Sequence, residues 1–317
     1  MSYAFDPELA PFVPALALSE GSPDFSDPAA VRRRMVEMMA TLNAEIDTSA
    51  LEIDDRVIPG DVPVRVYRPR AGVGLRPGIV YIHGGGFAVG SVETEHAGAA
   101  GLASGVGAVV VSVDYRLAPE HPFPAPLDDC YAALEWVHEA AAELDVDVER
   151  IAVYGGSAGG GLAAGLALLA RDRGGPKLCF QFLGIPELDD RLETPSMQQF
   201  VDTPMWNRPS AVNSWRHYLG DMTGDVSPYA APARATDLTN LPPAFVSTME
   251  FDPLRDEGII YALRMLQAGV PVELHQYPGT FHGSSLVTTA AVTRRQVAES
   301  RDVMRRALRV ADEKTVR

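Results

Sequence analysis

Residues Gly155-Gly156-Ser157-Ala158-Gly159 form a G-x-S-x-G pattern between a β-like run, 150–154, and an apolar helical run from Gly161 to Leu169. A serine on a sharp strand-to-helix turn needs small neighbours, because side chains would obstruct the strained backbone that raises its Oγ above the sheet. In a chain with 28 glycines the pattern alone carries little information. Its context carries more, because the rest of the chain repeats the same strand-then-helix order.

Short β-branched runs at 62–67, 78–82, 108–113, 150–154, 177–183, 244–248 and 270–277 are the strand candidates. Longer amphipathic stretches at 93–104, 126–144, 161–173, 255–268 and 288–308 read as helices between or after them. This alternation predicts an α/β fold with a mostly parallel central sheet flanked by helices. A chain of 317 residues with 46% hydrophobic content can bury one large core, so residues 1–317 are expected to form a single domain. No internal repeat or low-complexity tract is present. Two stretches, about 1–50 and 188–235, fit the alternation poorly; the first has a helical run at 28–42 with no adjacent strand.

A second motif, His83-Gly84-Gly85-Gly86-Phe87, follows the 78–82 strand candidate directly. Acyl transfer from an ester passes through a tetrahedral oxyanion, which needs preorganised N–H donors near the nucleophile. Glycines let backbone N–H groups turn inward, so Gly85 and Gly86 are the expected donors, together with Ala158, the residue after the serine. His83, which opens the loop, is expected to orient it by hydrogen bonding to backbone rather than to act as the base.

A serine nucleophile needs a base, and the base an orienting acid, in the chain order Ser, Asp or Glu, His. Of seven histidines, at 83, 96, 121, 138, 217, 275 and 282, only the last two follow both the elbow and the later strand candidates. His275 lies inside the alternating run 270–277, whereas His282 lies in the loop beyond it, where α/β folds place their chemistry. His282 is therefore the expected base. Asp252 falls just past the end of the preceding strand candidate and is the expected acid. Asp256 and Glu257 fall in the first turn of the next helix, where a carboxylate favours the helix dipole.

Taken together, His83 to Phe87, Asp114 to Ala125, the Ser157 elbow and Asp252 to Gly258 resemble, in order, the blocks of the hormone-sensitive lipase family of α/β-hydrolases. The likeness runs from about residue 65 to about 290. Within that family, Phe182 to Arg191 and Phe281 to Ser284 resemble the bacterial heroin esterase. The resemblance implies a carboxylic ester hydrolase with a Ser157, Asp252 and His282 triad, the same three residues reached above. It also implies that 1–50 and 188–235 form a cap over the active site. Phe87, Phe200, Met205, Trp206 and Trp215 are the candidate lining of an apolar substrate pocket. One position departs from the family, which usually carries aspartate immediately before the nucleophile; here it is Gly156.

Net charge of −15 argues against nucleic acid and anionic membrane surfaces as partners, since both require cationic patches. Cys130 and Cys179 lie in different segments without metal spacing and read as buried thiols in a reducing compartment. The first residues lack the basic start and apolar core of a signal peptide, and no apolar run reaches the ~18 residues of a membrane span. Cytoplasmic location is the expectation, with no membrane insertion, and a homodimer is left open. Dinucleotide and P-loop patterns are absent and His and Cys are scattered, so no cofactor and no metal is expected.

The expected substrate is a small to medium ester, with short acyl chains favoured if the cap closes the pocket. An amidase or peptidase with the same triad is the alternative, because the nucleophile machinery does not distinguish the two leaving groups. A non-catalytic ligand-binding protein of the same fold is the other, as in the plant gibberellin receptors. Those receptors lack the triad histidine, whereas His282 is present here.

Overall fold

A computed structural model of the chain describes residues 3–17, 26–72, 74–222 and 224–310. Its centre is one eight-stranded sheet in the order β1-β2-β4-β3-β5-β6-β7-β8, built from Leu51–Ile58 (β1), Val62–Pro69 (β2), Arg76–Ile82 (β3), Val109–Val113 (β4), Val146–Gly156 (β5), Phe180–Gly184 (β6), Ala244–Phe251 (β7) and Val272–Phe281 (β8). β1 pairs with β2, and β2 with β4, in antiparallel fashion, while every pairing from β4 to β8 is parallel. The mostly parallel sheet flanked by helices expected from the sequence is therefore the observed fold.

The helices are Val13–Ala17 (α1), Pro28–Asn43 (α2), His96–Val106 (α3), Ala125–Glu139 (α4), Ala141–Leu144 (α5), Ala158–Arg173 (α6), Pro195–Gln199 (α7), Arg208–Leu219 (α8), Arg255–Gln267 (α9) and Ala291–Ala307 (α10). Strand side chains alternate between two cores. Val80, Ile82, Val109, Val111, Ile151 and Val153 join one formed with α4, α6 and α9. Ile79, Tyr81, Val110 and Ala152 join a second with α3 and α10. Burial on both faces explains why these strands read as continuous apolar runs.

Several boundaries differ from the sequence reading. β1 has no counterpart among the strand candidates, because Glu52, Asp54, Asp55 and Arg56 interrupt its apolar residues; it pairs only with β2, and its charges meet in ion pairs such as Arg56 to Asp54 and Arg65 to Asp55. The helix expected over 126–144 breaks at Ala140, whose backbone leaves the helical region. The helix expected from Gly161 begins at Ala158, directly behind the serine. Cys130 is buried as expected, but Cys179 is only half-buried, and both thiols are free.

The segment 1–50 lies partly outside the described residues, at 1–2 and 18–25. Where it is described, Arg32 on α2 donates to the Ala88 and Ala118 carbonyls, each at 2.7 Å, and forms an ion pair with Glu120. Phe5 packs edge-on against Phe251 and Phe281. Phe5 thus packs on the carboxyl ends of β7 and β8, and Arg32 is tied to the loops after β3 and β4.

Candidate active site

Parallel pairing brings the chemistry-bearing loops together at the carboxyl ends of β3, β5, β7 and β8. β5 ends at Gly156 and α6 begins at Ala158, leaving Ser157 alone at the turn with φ 57° and ψ −126°. This backbone is costly for a residue with a Cβ, and the neighbours hold it in place. A Cβ on Gly155 would fall 2.1 Å from the Gly159 carbonyl oxygen, and one on Gly159 would fall 2.2 Å from that of Ile82. The Ser157 N–H donates to the Gly184 carbonyl at 2.8 Å, and its carbonyl accepts from Gly161 and Glu187, each at 3.1 Å.

The Ser157 hydroxyl meets His282 Nε2 at 2.9 Å, and His282 Nδ1 meets Asp252 Oδ2 at 2.8 Å. Asp252 Oδ1 accepts the Leu254 N–H at 2.9 Å. Side-chain carboxylate, imidazole and hydroxyl thus form one relay, nearly closed to solvent: Asp252 is 1% exposed, His282 7% and Ser157 9%. The rival residues have other partners. Asp256 accepts the Ser196 N–H at 2.8 Å and bonds Arg255, Glu257 accepts the Leu188 N–H at 2.6 Å, and His275, on the outer strand β8, faces Glu273 and, on α10, Glu299.

β3 lies beside β5 with Ile82 opposite Gly155, which places the loop after β3 against the elbow. Gly85 has φ 119° and Gly86 φ 56°, both in the region that favours glycine. Among the described residues no hydrogen bond takes up the Gly85 or Gly86 N–H. The Ala158 N–H opens α6, where first-turn donors have no partner within the helix. These three N–H groups are left without a partner among the described backbone hydrogen bonds.

His83 lies beneath this loop, fully buried, with Nδ1 2.8 Å from the Gly84 carbonyl oxygen and its ring stacked on Tyr115 at 4.0 Å. Burial pushes its pKa down to about 4. The neutral ring then donates from Nδ1 to Gly84, and the Tyr115 hydroxyl donates to the His83 carbonyl at 2.9 Å.

Of the five residues expected in the pocket, two border the relay. Trp206 stacks on His282 with ring centroids 5.5 Å apart, and Met205 lies against Gly283. Phe87 stacks on Tyr218 at 3.9 Å and meets Trp215 at 5.5 Å, which places both Phe87 and Trp215 within the main core. Phe200 packs with Tyr3 and Phe251 under the Arg255 guanidinium. Among the described residues no group of His, Cys, Asp and Glu is placed to hold a metal ion.

Sequence reasoning missed Glu187 as a residue of interest. It follows β6 and is fully buried, with the Ser214 hydroxyl as its polar neighbour. Burial pushes its pKa up to about 8, with the Asp252 charge adding to the rise. The available signal was an acid in the otherwise apolar run 182–188.

Known proteins share this chain's sequence family and fold. Residues 79–286 match a family described as having an alpha/beta hydrolase fold. The chain is similar to the carboxylesterase NlhH of Mycobacterium tuberculosis, with 46% identity over 245 residues, covering 74% of this chain and 75% of that one. It resembles a solved bacterial heroin esterase with a TM-score of 0.92 and 51% identity, covering 96% of this chain and 98% of the other. A thermostable esterase from Pseudomonas putida ECU1011 superposes with a TM-score of 0.91 at 33% identity, covering 98% of this chain and all 100% of its own.

Proposed function

The chain belongs to the hormone-sensitive-lipase-like family of α/β-hydrolases and is a carboxylesterase, and from that premise we propose that Ser157, His282 and Asp252 carry the reaction through an acyl-enzyme. The observation supporting this most strongly is the relay from Ser157 Oγ to His282 Nε2 at 2.9 Å and from His282 Nδ1 to Asp252 Oδ2 at 2.8 Å. Its substrates are small-molecule esters.

His282 takes the Ser157 proton as Oγ attacks the ester carbonyl carbon, and the carbonyl oxygen becomes an oxyanion facing the Gly85, Gly86 and Ala158 N–H groups. Collapse breaks the bond to the alkoxy oxygen, which leaves as the alcohol after taking the proton from His282. Water then attacks the acyl-Ser157 ester with His282 again as base, releasing the acid and restoring the serine. Asp252 keeps the proton of the resting imidazole on Nδ1, which leaves Nε2 free to accept.

The described parts of segments 1–50 and 188–235 make the cap, within a single domain formed by the described residues. Arg32 tying α2 to Ala88 and Ala118, and Trp206 stacked on His282, support that reading. Trp206 and Met205 then narrow the space beside the serine, which favours short acyl chains. No described helix is long and apolar enough to cross a membrane. The acidic chain and its two free thiols are compatible with the cytoplasm. Initial rates on p-nitrophenyl esters from acetate to decanoate test the assignment. kcat/KM should peak at acetate to butyrate and fall by at least tenfold at decanoate, whereas a maximum at the long chains removes the narrow-pocket reading.

A further inference from the structure

Burying an ionised carboxylate without a cation or hydrogen-bond donor is expensive enough that such a group normally neutralises or is absent. Glu187 is nevertheless fully buried, with the Ser214 hydroxyl as its polar neighbour, and no ion pair reaches it among the described residues. Its main chain is fixed to the elbow, because its N–H donates to the Ser157 carbonyl at 3.1 Å. The segment also lies flat against α6, where a Cβ on Gly161 would fall 2.1 Å from the Glu187 carbonyl oxygen. Exchange for a neutral residue would relieve a desolvation cost, so the carboxyl has to be explained by what surrounds it.

The surrounding polar groups come from three elements. From α8, the buried Ser214 hydroxyl lies beside the carboxyl, close enough to oppose the rise that burial gives its pKa, with Tyr218 nearby. Asp252 approaches from the end of β7, and Glu257 from α9. Ser214 also reaches the oxyanion loop, since the place a Gly86 Cβ would take is 3.2 Å from Ser214 Oγ. Glu187 and Ser214 therefore bridge the underside of the elbow and the back of Gly86.

We propose that Glu187 is a positioning residue for ester hydrolysis: as the uncharged acid it donates a hydrogen bond to Ser214, and this pair holds the Gly85–Gly86 loop at the distance the oxyanion requires. The proposal rests on the Ser157 mechanism proposed above. The carboxyl never meets substrate; it acts through Ser214 and Gly86. Its pKa, raised by burial to about 8, keeps it protonated at neutral pH. Ionisation removes the donated proton and adds a negative charge beside Asp252, behind the loop where oxyanion charge develops. Turnover then falls as pH rises through about 8.

The test compares wild type, Glu187→Gln, Glu187→Leu and Ser214→Ala in kcat and KM for p-nitrophenyl acetate from pH 5.5 to 9.5. A fluorophosphonate titration of active sites in each sample separates this proposal from the one beneath it, because failure to label wild-type Ser157 removes the mechanism itself. Glutamine keeps the shape and an N–H donor but does not ionise. Glu187→Gln should stay within about threefold of wild-type kcat at pH 7 and lose the fall centred near pH 8. Glu187→Leu and Ser214→Ala should lose at least tenfold in kcat with KM within about threefold. An unchanged alkaline fall in Glu187→Gln, or no such fall in wild type, overturns the proposal. So does wild-type kcat in Glu187→Leu. If the leucine variant fails to fold, the glutamine profile decides alone.

Discussion

His282 holds Asp252 through Nδ1 at 2.8 Å, and the other Asp252 oxygen is occupied by the Leu254 N–H at 2.9 Å, so the carboxylate is fixed on both sides. Only Nε2 of the ring is then left for Ser157. An amide at this place would offer N–H where Nδ1–H now donates and would favour the wrong imidazole tautomer. Asp252→Asn should therefore lower kcat by about 10³ to 10⁴. Asp256→Asn should change kcat less than tenfold, because that carboxylate caps Ser196 and binds Arg255. Steady-state kinetics of both purified variants checks the ranking, and the reverse order would move the acid to Asp256.

The oxyanion loop can be tested by adding one methyl group. At Gly86, with φ 56°, a Cβ would fall 2.7 Å from Trp206 Cη2 and 3.2 Å from Ser214 Oγ. Either the loop or the indole has to move, and a misplaced oxyanion donor costs about 10² to 10³ in kcat. Gly86→Ala should show that loss while Asp252, His282 and the far-UV circular dichroism stay as in wild type. Retention of wild-type kcat would remove Gly86 from the donor set.

Gly156 behaves differently from its neighbours. Its backbone is not in the left-handed region, and the nearest atom to a Cβ there is the Gly184 carbonyl oxygen, at an ordinary 3.9 Å. Neither dihedral strain nor close packing requires glycine. Gly156→Asp, which restores the family pattern, should keep at least wild-type kcat and add about 0.5–1.5 kcal/mol of stability if the carboxylate finds a donor. A thermal melt with a Michaelis curve reads both, and a joint fall in Tm and kcat contradicts the expectation.

The buried Glu187 carboxyl makes stability depend on pH in a definite direction. Its folded pKa lies above the ordinary 4.5, at about 8, so the folded chain retains a proton that the unfolded chain releases in between. Stability from this group is full below about pH 4.5 and is lost as pH rises toward 8. At about 1.4 kcal/mol for each tenfold change in proton affinity, the cost at pH 8 is on the order of 4 kcal/mol. Glu187→Gln should therefore gain on wild type as pH rises from 4.5 to 8 in urea melts. A constant difference across that range would mean the carboxyl is not buried as described.

The sheet and the relay were legible in the sequence because they rest on local signals: apolar runs at strand spacing, glycines where backbones touch, and polar residues just past strand ends. β1 was not, since Glu52, Asp54, Asp55 and Arg56 hide an edge strand whose pairing with β2 is decided by tertiary contact. The facing of aromatic side chains was equally hidden. Trp206 reaches His282 while Phe87 and Trp215 pack inward, and nothing along the chain separates these outcomes. Glu187 was read as part of a family block. Its burial beside Ser214 exists only once α8 and the elbow are brought together.

The central claim is that Ser157 is the nucleophile. Treatment with a fluorophosphonate, followed by intact mass and peptide mapping, tests it most directly. One adduct per chain is expected, on Ser157, with ester hydrolysis lost in proportion to labelling. Ser157→Ala should stay unlabelled, keep its fold, and turn over about 10⁴ to 10⁶ times more slowly. An adduct on any other residue, or a Ser157→Ala variant near wild-type activity, would contradict it.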